Sequence, residues 1–147
     1  MTGESNLSSL LKGMEPVLQK EILVFATVPE EREALLPQRL SVVGQFREAE
    51  GLTLILPQSE ARDAGLACSG PMRQITLTIH SSLEAIGLTA AFSAALTREG
   101  ISANVVAGFY HDHIFVPEKD AERAMAALLA LAAQGGQAAP PTRAPST

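Results

Sequence analysis

At 147 residues the chain has the length of one ordinary domain, or of two small units sharing a core, and it is too short for a barrel enzyme or a doubly wound dehydrogenase. Apolar residues make up 46% and charged residues 18%, below the roughly 25% of soluble domains, so core material is ample and a covered partner surface is expected. Eleven basic residues against sixteen acidic give a net charge of −5, and one Tyr, five Phe and no Trp supply neither a basic stripe nor a stacking platform for nucleic acid.

Leu7, Leu10, Leu11 and Met14 stand at helical spacing, which predicts a short amphipathic helix over Asn6 to Leu18, capping the first sheet. Ile22-Leu23-Val24-Phe25-Ala26 is a continuous apolar run bounded by Pro29, the pattern of a strand covered on both faces. A weak helical turn over Pro29 to Leu36 follows, then strands over Val42 to Glu48 and Leu52 to Leu56, joined by an Ala49-Glu50-Gly51 hairpin. Pro57 opens a short helix over Gln58 to Leu66. Cys68, the sole cysteine, excludes an intramolecular disulfide and fits a reducing compartment.

From Ile75 to His80 the residues alternate strictly, so Ile75, Leu77 and Ile79 face a core while Thr76, Thr78 and His80 face away. The next helix carries Leu88, Phe92, Ala95 and Leu96 as its stripe and Gly100 at its left-handed terminus. Its outward Thr89, Ala90, Ser93 and Ala94 are too weakly charged for a fully solvated face, which predicts a homodimer. A strand over Ala103 to Phe109, a turn at Tyr110 to Asp112 and a strand over His113 to Val116 form a second hairpin. Pro117 opens the last helix, with Glu118 and Asp120 at its positive end and Ala121, Met125, Leu128, Leu129 and Ala132 as its buried stripe. The tail, 135–147, buries nothing and is expected to be disordered.

Met1 to Pro16 has no apolar h-region and so does not read as a signal peptide, and the longest apolar run, Ala124 to Ala133, is half of what a membrane span needs. A cytoplasmic protein engaging no membrane is expected. The halves share one order: strand, helix, strand, tight turn, strand, Pro, helix. Superposing Pro57 on Pro117 sets Leu54-Ile55-Leu56 on Ile114-Phe115-Val116, and Ala61 and Ala64 on Ala121 and Ala124, an internal repeat. The expected organisation is a helical segment at 1–19, a first unit at 20–70, a second at 71–134, then the tail.

His80-Ser81-Ser82-Leu83-Glu84-Ala85-Ile86-Gly87-Leu88-Thr89-Ala90, Gly100 to Gly108, Phe46 to Thr53 and Tyr110 to Pro117 carry a resemblance to the ACT domain. The chain resembles short bacterial proteins built of two ACT-like units and, more distantly, the tandem-ACT arginine sensors of animal cytosol. The resemblance implies an α+β fold: two ferredoxin-like (ACT-like) βαββα units with antiparallel sheets packed side by side. It also implies an amino-acid ligand, a regulatory role without catalysis, no cofactor, and a regulated protein that is not attached to the chain.

In such a sheet the first strand of a unit lies beside the third, which brings the end of Ile75 to His80 to the turn Tyr110 to Asp112 and to the start of the following helix. Ser81, Ser82, Leu83, Glu84, Gly87, Asn104, Gly108, His111 and Asp112 are therefore the expected ligand-binding residues. The helix start supplies donors for a carboxylate, and Asp112 or Glu84 an acceptor for an ammonium group. Each has a plainer role as well. Ser81 and Ser82 cap a helix, with Glu84 completing a capping box. Gly87 permits close packing, Asn104 and Asp112 serve turns, and Gly108 marks a bulge. His80, His111 and His113 with a carboxylate form a zinc-competent set, but His-x-His in a hairpin is common without metal, Asp112 points to the opposite face of a regular strand, and Cys68 with the three histidines makes no closed four-ligand pattern, so no metal is expected. Phosphate-loop, dinucleotide and HExxH signatures are absent from the sequence. A ligand-free association domain is the competing reading.

Overall fold

The structure is a computed structural model in which residues 7–78 and 87–135 are described. Its strands form one seven-stranded antiparallel sheet. In chain order the elements are α1 (Leu7–Lys12), β1 (Pro16–Val28), a 3₁₀ turn (Glu30–Leu35), β2 (Gly44–Glu48), β3 (Gly51–Pro57), α2 (Gln58–Asp63) and β4 (Ala67–Cys68). The second half follows with β5 (Met72–Leu77), α3 (Leu88–Arg98), β6 (Asn104–Ala107), β7 (Asp112–Pro117), a 3₁₀ turn (Glu118–Asp120) and α4 (Ala121–Ala133). The strand order is β2-β3-β1-β5-β7-β6, with β4 paired to β1.

β1 joins the units. Its first half pairs with β5, Pro16 opposite Leu77 and Leu23 opposite Met72, with a register shift between Leu18 and Ile22. Its second half pairs with β3, from Leu23 opposite Pro57 to Val28 opposite Leu52. The two ferredoxin-like units thus lie side by side with their sheets merged through one strand.

The helices cover one sheet face. Over the second unit, Ile75, Leu77, Ile114 and Val116 pack with Leu88, Phe92, Ala95 and Leu96 of α3 and Ala121, Ala124, Leu128 and Leu131 of α4. The four-residue α3 stripe read from the sequence is buried as expected, and Gly100 has φ +70° just past the helix. Over the first unit, Val24, Ala26, Val28, Leu52, Leu54 and Leu56 pack with Ala61 and Leu66. The opposite face carries a smaller cluster of Leu23, Ile55 and Phe115, flanked by Phe25 and Met72.

Four expectations change. The first helix stops at Lys12 instead of reaching Leu18, because Pro16 has no N–H to donate and its ring disfavours a helix interior; Pro16 and Leu18 belong to β1. That helix also covers the second unit and not the first sheet: Leu10, Leu11 and Met14 join Phe92 and Leu128, and the Ser8 hydroxyl donates to the Gly135 carbonyl at 2.6 Å. In α4 the buried stripe is rotated, with Ala124 and Leu131 inside while Leu129 is 52% exposed, because the face is set by where α1 and α3 already sit. The second hairpin is also placed differently: its strand ends at Ala107, the turn comprises residues 108–111, and Asp112 is in the returning strand. The tail residues 136–147 lie outside the described residues.

Candidate functional site

The expected site gathers at one end of the second unit. Asp112 opens β7 opposite Leu77, the last residue of β5, and opposite Ala107, the last of β6. Thr78 continues from β5 and donates both its N–H (3.1 Å) and its hydroxyl (2.9 Å) to the Glu15 carbonyl, tying the start of β1 to the same end. α3 runs away from this end, since its far terminus leads through residues 99–103 into β6 at Asn104, the opposite end of the hairpin. Its first turn therefore lies over the end that Asp112 occupies. Asp112 shares the face of Leu77, the face that bears α3.

His80, Ser81, Ser82, Leu83 and Glu84 lie outside the described residues. Gly87 immediately precedes α3 with φ +89°, and an added Cβ would stand 3.5 Å from Leu7 Cδ2. It is the left-handed backbone that selects glycine here, as the space itself is adequate. Gly108 differs. Its N–H donates to the His111 carbonyl at 2.8 Å, closing the hairpin so tightly that a Cβ would lie 2.9 Å from that oxygen and 3.2 Å from His113 Nε2.

Asp112 is half-buried, and burial raises its carboxyl above the ordinary range, partly opposed by His113. No ion-pair partner reaches it among the described residues. One residue earlier, the buried His111 Nδ1 has no hydrogen-bond partner among the described residues. A buried polar atom left in this state normally finds a partner, whether water or ligand. The hairpin tip is completed by Phe109 and Tyr110, stacked edge to face at 4.9 Å and 80% and 78% exposed.

Two sequence-chosen residues stand apart from this end. Asn104 lies opposite Phe115, three rungs along the hairpin from Ala107 and Asp112, or about 10 Å by strand rise, and on the face away from the helices. His113 also uses that face: its Nδ1 meets Gln74 Nε2 at 3.0 Å and Thr76 Oγ1 at 3.1 Å, and Gln19 Nε2 donates to Thr76 Oγ1 at 3.1 Å. This polar row across β1, β5 and β7 explains why Thr76, expected to face outward, is 7% exposed. The alternation rule found the face but not its cover. Burial, then the neighbouring His111 charge, lower the His113 pKa, with Asp112 opposing. Among the described residues no group of three His, Cys, Asp or Glu side chains is disposed to hold a metal.

The ACT-domain family matches the chain twice, over residues 2–73 and over residues 69–130. A crystal structure of a Vibrio cholerae protein of unknown function, described as a possible transport protein, is 46% identical, with a TM-score of 0.75 over 89% of this chain and 99% of that one. A protein from Agrobacterium tumefaciens has a TM-score of 0.59 at 18% identity, over 84% of this chain and 89% of its own. The regulatory subunit of aspartate kinase from Thermus thermophilus has a TM-score of 0.53 at 10% identity, over 80% and 95%. These last two show the fold alone. No curated protein matches the chain. Two antiparallel ferredoxin-like units sharing one sheet, each matched by the family in its own half of the chain, make this protein a member of the ACT-domain family with two ACT domains in tandem.

Proposed function

We propose that the chain is a regulatory protein that binds a free amino acid and has no catalytic activity of its own. The units are taken as 20–70 and 71–134, and the ligand sits at the end of the second one. The observation that carries this reading is the pairing, on one hairpin end, of a half-buried Asp112 carboxylate and a buried His111 Nδ1, neither of which has a cation or hydrogen-bond partner, respectively, among the described residues. An α-amino acid answers both needs. Its ammonium group supplies the charge-assisted partner for Asp112, and its carboxylate, drawn to the N–H groups at the start of α3, accepts from His111 Nδ1–H. Ser81, Ser82, Leu83, Glu84, Gly87, Gly108 and His111 complete the proposed contacts, while Asn104 stands at the other end of the hairpin.

The tandem ACT domains support a sensory role, and the fold shared with an aspartate kinase regulatory subunit agrees with it. We extend the proposal to a homodimer in the cytoplasm acting on a separate protein. Thr89, Ala90 and Ala94 of α3 are exposed without charge, which suits a partner surface. No described helix is long and apolar enough to cross a membrane.

A thermal-shift screen of the twenty amino acids tests the reading. A ligand at about one hundred times its dissociation constant stabilises the fold by about 2.7 kcal/mol. Asp112→Asn should weaken that stabilisation while leaving a folded protein. If no amino acid binds at millimolar concentration, the association-domain reading takes its place.

A further inference from the structure

We propose that a trough on the helix-free face of the sheet, between Phe46 of β2 and Val106 of β6, binds a compact apolar amine, at a site separate from the amino-acid site. The trough has a volume of about 380 Å³, and its walls include Phe25, Phe46, Ile55 and Val106, with Glu48 and Thr53 at the rim. β2 and β6 are the two edge strands of the sheet, five steps apart in the strand order. In a flat sheet five steps span about 24 Å. Side chains from both edges line one trough, so the sheet is rolled toward its helix-free face. Phe25 and Phe115 meet edge to face at 5.4 Å across the intervening β5, which fits the same curvature.

The shape selects a small occupant. Leu23, Ile55 and Phe115 are buried on this face although none of the described helices covers it, whereas Phe46 is 72% exposed and Val106 44% exposed. A flat partner sheet would meet only the rims of a rolled surface. A volume near the lower end of about 300–1,000 Å³ suits a molecule of drug or metabolite size.

The charge selects the class. Among the described residues Glu48 is the one charged side chain lining the trough, and its carboxylate accepts a hydrogen bond from the Thr53 hydroxyl. The neighbouring Arg47 is held by Glu33 through bonds of 2.8 and 3.2 Å. Alternation along β2 places Arg47 on the opposite face from Phe46 and Glu48. Two phenylalanine rings beside the Glu48 carboxylate favour a cation with an apolar body and disfavour a carboxylate. The preference is thus opposite to that of a helix N-terminus, which attracts the carboxylate of an amino acid.

Phenethylamine and 3-phenylpropionate, matched in size and opposite in charge, are titrated into the full chain and followed by amide chemical shifts. The expected result is saturable binding of the amine with shifts at Phe46, Ile55 and Val106, and weaker or no binding of the acid. Phe46→Ala should weaken the amine by up to about fivefold, the worth of an exposed cation–aromatic contact. Glu48→Gln should reduce the preference for the amine by up to about fivefold, that of an exposed ion pair. Both residues are exposed, so melting temperatures close to that of the parent protein show that the variants remain folded. The proposal is overturned if the amine does not bind at millimolar concentration, if acid and amine bind equally, or if neither variant alters binding. It is also overturned if light scattering finds a dimer that Phe46→Ala dissociates, since the trough would then be covered by a second copy. None of these outcomes bears on the stabilisation by an amino acid that Asp112→Asn should weaken, so the two sites are tested independently.

Discussion

The two strand–proline–helix junctions have nearly the same backbone and opposite surroundings. Pro57 has φ −56° and ψ 138°, Pro117 φ −55° and ψ 139°. In both, an apolar strand enters the core and an alanine packs at the start of the helix, Ala61 and Ala121, each essentially buried. Beyond that the units diverge. α2 ends after six residues, α4 runs for thirteen. Where the second unit has the eleven-residue α3, the first has a six-residue 3₁₀ turn, Glu30–Leu35, with no buried side chain. Among the described residues the second core holds sixteen buried side chains and the first eight. A small core stabilises a fold poorly by itself. The first unit therefore relies on β1, whose other half is anchored in the second.

That asymmetry is open to direct attack. Phe92→Ala empties the centre of the larger core and should cost about 3–5 kcal/mol. Urea unfolding followed by far-ultraviolet circular dichroism should show one shifted transition, and a fluorophore on the exposed Cys68, in the first unit, should report the same midpoint. Separate midpoints would show that the shared strand does not couple the units.

Leu11→Ala tests to which unit the first helix belongs. It should cost about 3 kcal/mol, and its effect should fail to add to that of Phe92→Ala, because both side chains occupy one cluster. Gly87→Ala should cost about 1–2 kcal/mol, as an L-residue takes on the left-handed backbone; equal stability would mean that the turn relaxes without difficulty. Smaller again is the pH effect of His113. Its folded pKa lies below the ordinary value of 6.5, so the unfolded chain binds the proton more readily. Stability is then retained above pH 6.5 and falls as pH drops from 6.5 toward the folded pKa. His113→Gln should flatten that part of the stability profile, and an unchanged slope would exclude His113 as its source. Breaking the exposed Arg47–Glu33 pair of the first unit with Arg47→Gln should leave the melting temperature almost unchanged, and less still in high salt.

Much of the second unit was legible in the sequence because its helices are long enough to show periodicity. Leu88, Phe92, Ala95 and Leu96 repeat over an eleven-residue helix and fall inside together. Alternation in β5 placed Ile75 and Leu77 in the core, and the hairpin argument brought Asp112 opposite Leu77. The first unit offered weaker signals. β4 is two residues long and pairs only with β1, too short to carry a period. Apolar spacing before Pro16 suggested a longer helix, and only the proline and Gly13 argued against it. Asn104 was grouped with Asp112 because both belong to one hairpin, although a strand separates residues at its two ends by their rise. That His111 Nδ1 is buried without a partner among the described residues had no sequence signal, because a histidine in a turn is read as solvated until its surroundings are known.

The sequence by itself determined the local elements of this protein, the repeated strand–proline–helix junction and the inward stripe of α3. Those follow from backbone restriction at proline and from the periods of helix and strand, which act over a few residues. Tertiary structure alone decided that α1 covers the second unit, that α4 turns Leu131 inward and Leu129 outward, and that β2 and β6 converge on one trough. The physical reason is that each depends on the volume left by elements far away in the chain and on the accumulated twist of a whole sheet, and neither quantity is written in the spacing of neighbouring residues.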